Sequence, residues 1–241
     1  MTEAEWLACT DPQKMLEFLR GKASERKLRL FACACCRSIW RLLRDEEQKR
    51  MVDLLERDTD GLLREDEKRR VLGVPQHRPE DSDLPALAVF FASCFLDPAA
   101  VEVTDDSFSK DELVVSVVSQ YVDEAVCQSD SKGYRSFASI HTSMALQNRL
   151  VHDMFGNPFR PSPRLPPSVL AWSDRTVPRI AQVIYDDRKM PEGTLDTGRL
   201  AVLADALLDA GCDDEALIQH CREPGPHVRG CWAVDLILGK G

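Results

Sequence analysis

The sequence has no hydrophobic run long enough to cross a bilayer. Its longest uncharged apolar stretch, residues 84–96, is shorter than the roughly 20 residues that a membrane helix needs. The first ten residues show no basic segment followed by an apolar stretch, the pattern of a secretory signal peptide. A net charge of -9 also excludes a polycation of the kind that coats nucleic acid. These absences predict a soluble, cytoplasmic protein without a membrane partner.

The sequence also lacks the short motifs that mark common catalytic sites. It contains no glycine-rich phosphate loop, no G-x-S-x-G elbow around a nucleophilic serine and no D-x-D-x-D-G calcium loop. Histidine, the commonest general base at neutral pH, occurs only at positions 77, 141, 152, 220 and 227. The sequence therefore predicts no catalytic residue and favours a protein that is not an enzyme.

His152 and Asp153 are adjacent near the end of a predicted helix, just before Gly156 and Asn157. Neighbouring residues on a helix point about 100° apart, so these two side chains do not form a catalytic dyad by themselves. We interpret them as side chains that polarise the helix C-terminus and anchor the proline-rich turn that follows.

The composition is typical of a helical globular protein. Apolar residues make up 44% and charged residues 29%, which excludes a disordered or fibrous chain. Helix-start signals recur, such as the Thr2–Glu5 capping box and the Asp11–Pro12 pair, and no alternating strand pattern with hairpin turns is found. The sequence predicts an all-α fold, a helical bundle with a smaller C-terminal helical subdomain. Residues 84–96 fit either a short buried helix or a strand, and periodicity does not decide between them.

The third predicted helix runs from a cap at Ser24 to about Leu43. An apolar face covers more than half of its circumference, which places it centrally in the bundle. The remaining stripe of this helix is basic. Its members are Arg29, Arg37, Arg41 and Arg44.

Charge is unevenly distributed around this helix. Residues 20–44 carry eight Lys/Arg and one Glu, a net charge of +7, and the rest of the chain has 23 basic and 39 acidic residues. Such asymmetry creates a local positive field on an acidic molecule. In one interpretation, the basic helix docks on the chain's own acidic helices around residues 45–67. In the other, the four arginines bind an acidic surface of another protein or a nucleic acid.

A proline-rich segment divides the chain. Five prolines lie between Pro158 and Pro167, and no helix survives that density, so an extended connector is predicted. The predicted domains are an N-terminal helical bundle over residues 1–155, the connector over 156–172, and a C-terminal helical subdomain over 173–241 that packs on the first.

The nine cysteines indicate reduced thiols rather than a disulfide framework, because their number is odd and most lie in apolar stretches. A metal site is the more specific alternative for some of these cysteines. Cys33 and Cys36 are three residues apart on one helix, and His227 and Cys231 are four apart if the last helix begins by His227. Joined across the bundle, the two pairs would form a tetrahedral Cys3His zinc site.

Several segments carry a family resemblance. The chain opens with MTEAEWLACTDPQKMLEFL and continues with CCRSIW at 35–40, HDMFGNPFRP at 152–161, RLAVLADALLDAGCDD at 199–214 and GPHVRGCWAVDLILGK at 225–240. They resemble a module that recurs in many paralogous, uncharacterised planctomycete-type proteins. The resemblance covers both ends of the chain and implies a bacterial source, but it implies no particular reaction.

Three functional hypotheses follow from the sequence. The first is a non-enzymatic interaction or adaptor module that recognises an acidic protein surface through the basic stripe. The second is a nucleic-acid-associated regulatory protein that uses the same helix face. The third is a zinc- or thiol-dependent protein whose candidate ligands are Cys33, Cys36, His227 and Cys231.

Overall fold

The computed structural model describes residues 1–72, 79–93, 110–129, 137–161 and 163–240, which form twelve α-helices and no strand. The predicted all-α class is confirmed. Within these ranges, none of the helices combines the length and apolarity that crossing a membrane requires. His77 and Cys94 lie outside the described residues. The helices are α1 (Glu3–Ala8), α2 (Pro12–Leu19), α3 (Glu25–Ser38), α4 (Glu46–Thr59), α5 (Glu65–Leu72), α6 (Leu84–Ser93), α7 (Lys110–Ser129), α8 (Phe137–Phe155), α9 (Pro167–Asp186), α10 (Thr197–Asp209), α11 (Glu215–Arg222) and α12 (Trp232–Leu238).

The first two helices begin at the capping residues that the sequence indicates. The N–H of Thr2 donates to Glu5 Oε2 at 2.7 Å, and the N–H of Glu5 donates to Thr2 Oγ1 at 3.2 Å, which completes the capping box. The Asp11 side chain accepts two backbone N–H bonds from the first turn of α2, where Pro12 needs no partner of its own. Local sequence is therefore sufficient to set these helix starts.

The chain divides into two compact units. Unit 1 contains Met1 and Ala8–Asn148, and unit 2 contains Thr2–Leu7 and Arg149–Gly241. The division falls inside α8, a few residues before the boundary predicted after residue 155. Helix α1 contributes to unit 2 although it stands at the start of the chain. The last part of the predicted connector is helical, as the beginning of α9.

Helix α3 lies at the centre of unit 1, where it packs against α4, α6 and α7. Every residue from Leu30 to Arg37 is buried, so the helix is enclosed around its whole circumference. The sequence does not decide between helix and strand for residues 84–96. Their described part, Leu84–Ser93, is a helix that packs against α4 and α7. Residues 94–96 lie outside the described residues.

Helix α3 ends at Ser38, so the predicted end near residue 43 is wrong. The Ser38 hydroxyl donates to the carbonyl of Cys35 at 2.6 Å, and the next residues form turns closed by bonds between residues three apart. Serine side chains that bond to nearby carbonyls compete with helical hydrogen bonding. Arg41 and Arg44 therefore lie within and after these turns and do not continue a helical stripe.

The core of unit 2 is built from the inward faces of α9, α10, α11 and α12. Leucine, valine, isoleucine and alanine side chains dominate it. Three thiols, those of Cys212, Cys221 and Cys231, are buried in the same core. Burial of these apolar side chains is the main source of stability for a unit of this kind.

Helices α10 and α11 begin at aspartate caps, whose side chains accept backbone N–H bonds from the residue three positions later. Helix α12 begins at Trp232 with Cys231 as its N-cap, so it does not begin by His227, as the proposed helical pair of His227 and Cys231 required. The reason is that Val228 is extended and pairs with Thr194 in an isolated bridge. His227 therefore precedes the helix and lies in a loop.

Helix α9 is interrupted at residues 172–175. Ser173, Asp174 and Arg175 have φ values of 45°, 57° and 62°. Residues other than glycine rarely adopt this left-handed conformation, because Cβ approaches the following carbonyl oxygen. Helical geometry resumes at Thr176.

The central position of Cys35 makes it sensitive to a polar substitution. Cys35 is fully buried, whereas Cys9 is only partly buried and its Sγ lies 3.4 Å from the Asp11 carbonyl oxygen. A hydroxyl without a good partner among apolar side chains costs about 1–3 kcal/mol. We expect Cys35→Ser to lower the melting temperature, followed by circular dichroism, clearly more than Cys9→Ser. Equal melting temperatures would contradict the placement of Cys35 in the core.

Candidate metal centre

Four buried side chains with metal-binding chemistry meet in unit 2. They are Asp153, His220, His227 and Cys231, and their donor atoms all lie within 4.8 Å of one another. We call this group the Asp–His–His–Cys cluster. Buried polar groups are costly unless they are paired or bind an ion, so the arrangement needs an electrostatic explanation.

Each member of the cluster comes from a different local structure. Asp153 lies in the last turn of α8, and His220 lies in the last turn of α11. His227 lies in the loop after α11, and Cys231 is the N-cap of α12. A turn in which the N–H of Cys231 donates to the Val228 carbonyl at 2.9 Å keeps the loop and the helix start together. The cluster thus joins the ends of three helices.

Asp153 is the central member. Its Oδ2 accepts the backbone N–H of Val228 at 2.9 Å, while its Oδ1 lies 2.7 Å from His227 Nδ1 and 3.1 Å from His220 Nε2. Burial raises the pKa of the carboxyl, but the hydrogen bonds from the two histidines outweigh it, so the pKa of Asp153 lies below its ordinary value. Asp153 is therefore a buried carboxylate, which needs a positive partner.

The tautomer of His227 follows from its second contact. Its Nε2 lies 3.1 Å from the Glu223 carbonyl oxygen, which can only accept, so Nε2 carries the hydrogen and donates. Nδ1 faces the Asp153 carboxylate. Burial lowers the pKa of the ring, but the hydrogen bond and charge of Asp153 outweigh it, and the pKa of His227 is raised. Two species satisfy this contact: an imidazolium, or a neutral ring that shares a cation with the carboxylate.

His220 places one nitrogen between two other members of the cluster. Its Nε2 lies 3.1 Å from Asp153 Oδ1 and 3.2 Å from Cys231 Sγ. A single N–H makes a linear hydrogen bond to only one of these atoms, and a lone pair on Nε2 would face the carboxylate unfavourably. A cation between the three atoms removes the conflict, because each atom then donates electrons to the same centre.

Cys231 is a neutral thiol in the absence of a cation. Burial raises the pKa of the thiol well above its ordinary value, and the charge of Asp153 raises it further. The N–H groups of Ala233 and Val234, in the first turn of α12, offset a part of this rise in the pKa. The Cys231 side chain nevertheless makes no cap hydrogen bond to the helix. A bound divalent ion deprotonates a coordinating thiol outright. The helix N-terminus would then help to stabilise the thiolate.

The donor set fits a four-coordinate zinc ion. Two imidazole nitrogens, one thiolate and one carboxylate oxygen are all ordinary zinc ligands, and neighbouring donors in a tetrahedral site lie about 3.3–3.6 Å apart. The three closest separations, 2.7, 3.1 and 3.2 Å, are shorter than this spacing, so a bound ion would move these donors apart. The carboxylate and the thiolate together balance the charge of a divalent ion, so the buried site becomes neutral.

The geometry does not support a cysteine nucleophile. In a Cys–His–Asp triad, one ring nitrogen faces the sulfur and the other faces the carboxylate. His220 uses the same nitrogen for both. Cys231 is also fully buried and its pKa is raised by that burial, whereas reactive thiols are acidic and partly exposed. The cluster can hold a cation, but it does not present an attacking sulfur to a substrate.

One tryptophan packs against the cluster, and a second packs against the end of α8. The Trp232 ring lies 5.0 Å from the His220 ring, centroid to centroid. Gly156 has a φ of +61°, and a Cβ there would lie 3.3 Å from the Trp232 ring, so both backbone and space favour glycine. Trp6 of α1 packs edge-on against His152 and donates its indole N–H to the Gly156 carbonyl at 3.2 Å. These contacts hold the end of α8, which carries a cluster member, in place.

The structure brings together two of the four ligands predicted from the sequence, His227 and Cys231. They do not lie one turn apart on a helix, because α12 begins only after Cys231. Cys33 and Cys36 are buried on α3 in unit 1 and are not members of the cluster. Burial raises the pKa of the Cys36 thiol to about 12.

Sequence reasoning missed Asp153 and His220. The adjacent residues His152 and Asp153 have separate roles, since the His152 ring packs on Trp6 and Asp153 contributes its carboxylate to the cluster. One signal was present in the sequence. The segments HDMFGNPFRP and GPHVRGCWAVDLILGK, which carry the family resemblance, contain three of the four members of the cluster.

Arg37, a member of the predicted basic stripe, is buried in the interior of unit 1. Arg37 is 2% exposed, and its guanidinium donates twice to Glu56 at 2.7 Å and once to Asp53 at 2.5 Å. Both carboxylates belong to α4. This is the internal match between the basic helix and the acidic segment 45–67, which was the competing interpretation of the charge pattern.

The other three arginines of the stripe occupy different environments. Arg29 pairs with Glu25 of its own helix at 3.7 Å, and Arg41 and Arg44 are exposed after the end of α3. The adaptor and nucleic-acid hypotheses stay predictions, and they now depend on a surface to which Arg37 does not contribute.

Comparison with known proteins found no matching family model, no similar curated protein and no similar solved structure. The cluster is therefore interpreted from its own chemistry.

Proposed function

We propose that this chain is a zinc-binding protein in which the Asp–His–His–Cys cluster holds one ion as a structural part of unit 2. The observation that supports this function is the convergence of four buried donors within 4.8 Å. Without a cation, the cluster buries a carboxylate among groups whose hydrogen bonds compete. With zinc, all four groups become ligands and the charges balance.

Burial favours a structural role over a catalytic one. A catalytic zinc keeps one position open for water or substrate, whereas a structural zinc is closed by four protein ligands. All four members of the cluster are buried, and together they offer four donors. The ion would supply a cross-link between α8, α11 and the start of α12, and binding energy of this kind adds directly to folding free energy. The proposal agrees with the expectation of a protein that is not an enzyme.

The metal content of the purified chain, prepared without a polyhistidine tag, tests the proposal. We expect a single zinc ion per chain by plasma mass spectrometry. After exchange for Co²⁺, the visible absorption should have the intensity of a four-coordinate ion and should be accompanied by a sulfur-to-cobalt charge-transfer band.

Two cysteine variants make this test specific. Cys231→Ser should lose the charge-transfer band, whereas Cys9→Ser, a change in unit 1, should keep it. A chain that contains no metal after purification, and that gives no cobalt spectrum after refolding with Co²⁺, would exclude the zinc function.

A further inference from the structure

Glu223 contacts both histidines of the cluster without being a member of it. Its backbone carbonyl accepts from His227 Nε2 at 3.1 Å, and its carboxylate Oε2 lies 3.7 Å from His220 Nδ1. In each ring, the nitrogen that approaches Glu223 is the one opposite the nitrogen that faces the cluster. One residue thus reaches the outer side of both rings.

The end of α11 holds Glu223 in this position. It is the C-cap residue, with φ -65° and ψ 150°, and its N–H donates to the His220 carbonyl at 3.2 Å. Pro224 follows, and a residue before proline favours this extended conformation because the proline ring clashes with the helical one. The extended backbone removes the Glu223 carbonyl from helical hydrogen bonding and leaves it available to His227.

Exposure and charge distinguish Glu223 from the ligands. Its side chain is 52% exposed, whereas that of His220 is 9% exposed. At 3.7 Å the carboxylate attracts the ring electrostatically without making a full hydrogen bond. The Glu223 carbonyl accepts from His227 Nε2, and its carboxylate attracts a proton on His220 Nδ1. Glu223 therefore favours rings that direct these protons outward and leave their inner nitrogens free to bind a cation.

We propose that Glu223 is a positioning residue of the metal site, which orients both histidine rings and strengthens their inner nitrogens as ligands. Zinc-bound histidines commonly donate their other N–H to a carboxylate or a carbonyl, and this partner fixes the tautomer and raises ligand basicity. Glu223 supplies a carbonyl to His227 and a carboxylate to His220. The inference rests on the proposed zinc function, because it concerns the affinity of the same site.

The test is the zinc affinity of Glu223→Gln, measured by competition with a chelating dye. Glu215→Gln is the matched control, since it removes the same charge from an exposed glutamate at the other end of α11. Loss of an outer-shell partner weakens metal binding about 10–100-fold. Because the backbone carbonyl remains, we expect a loss of about tenfold for Glu223→Gln, still with a single ion per chain, and an affinity close to wild type for Glu215→Gln.

The metal-free proteins separate positioning from general structural damage. If Glu223 positions the rings, metal-free Glu223→Gln has the same melting temperature as metal-free wild type. Glu223→Asp then recovers part of the zinc affinity. The inference is overturned, and the zinc function stands, if Glu223→Gln binds zinc as wild type does or if Glu215→Gln loses as much affinity. It is also overturned if metal-free Glu223→Gln melts well below wild type and Glu223→Asp recovers nothing. A wild-type chain that binds no zinc overturns both proposals.

Discussion

Asp153→Asn is expected to abolish zinc binding and to lower the melting temperature of the transition that includes unit 2. The amide keeps the shape of the side chain but removes one of the two negative charges that balance the ion. It also leaves the two histidines that contact Oδ1 without their charged partner. Removing one member of a buried charged group costs about 3–5 kcal/mol. Each kcal/mol lowers the melting temperature of a chain of this size by about 2–4 °C.

Calorimetry with and without a chelator checks this expectation. Chelation should lower the melting temperature of wild type, added zinc should restore it, and neither treatment should move Asp153→Asn. Asp209→Asn, an exposed change at the end of α10, is the control for removal of a charge from unit 2. If Asp153→Asn binds one zinc ion per chain and has the melting temperature of wild type, Asp153 is not a ligand.

Arg37→Met is expected to be among the most destabilising single substitutions in unit 1. It leaves the Glu56 carboxylate, whose side chain is 4% exposed, without the guanidinium that donates to both of its oxygens. Breaking a buried ion pair by removing one partner costs about 3–5 kcal/mol. The Asp53 side chain is half exposed, so water can replace the bond that it loses. Chemical denaturation followed by circular dichroism measures the effect.

A second substitution distinguishes loss of the ion pair from loss of packing. Replacing a buried pair by apolar side chains is often neutral or stabilising, so Arg37→Met combined with Glu56→Leu should recover much of the lost stability. Arg44→Met removes the same charge from an exposed position and should change stability by no more than about 0.5 kcal/mol. Equal effects of Arg37→Met and Arg44→Met would contradict the internal match between α3 and α4.

Local signals in the sequence are sufficient for the helical architecture and for most helix starts. The Thr2–Glu5 box, the Asp11–Pro12 pair and the Ser24 cap all act within one helical turn, and each has the expected bonds. The periodicity of apolar residues also placed Cys35 in the core. The end of α3 was not predictable in this way, because the turns after Ser38 depend on bonds that compete closely with helix continuation.

The cluster and the role of Arg37 were decided by the tertiary structure. The spacing of four residues makes His227 and Cys231 recognisable as a pair in the sequence, but Asp153 and His220 are 67 residues apart and meet only where the ends of their helices pack. Arg37 and Arg44 carry the same charge in the sequence, yet contact between α3 and α4 buries one and leaves the other exposed. Caps and periodicity are properties of neighbouring residues. Burial, and the partner that each buried charge finds, arise only from the folded chain.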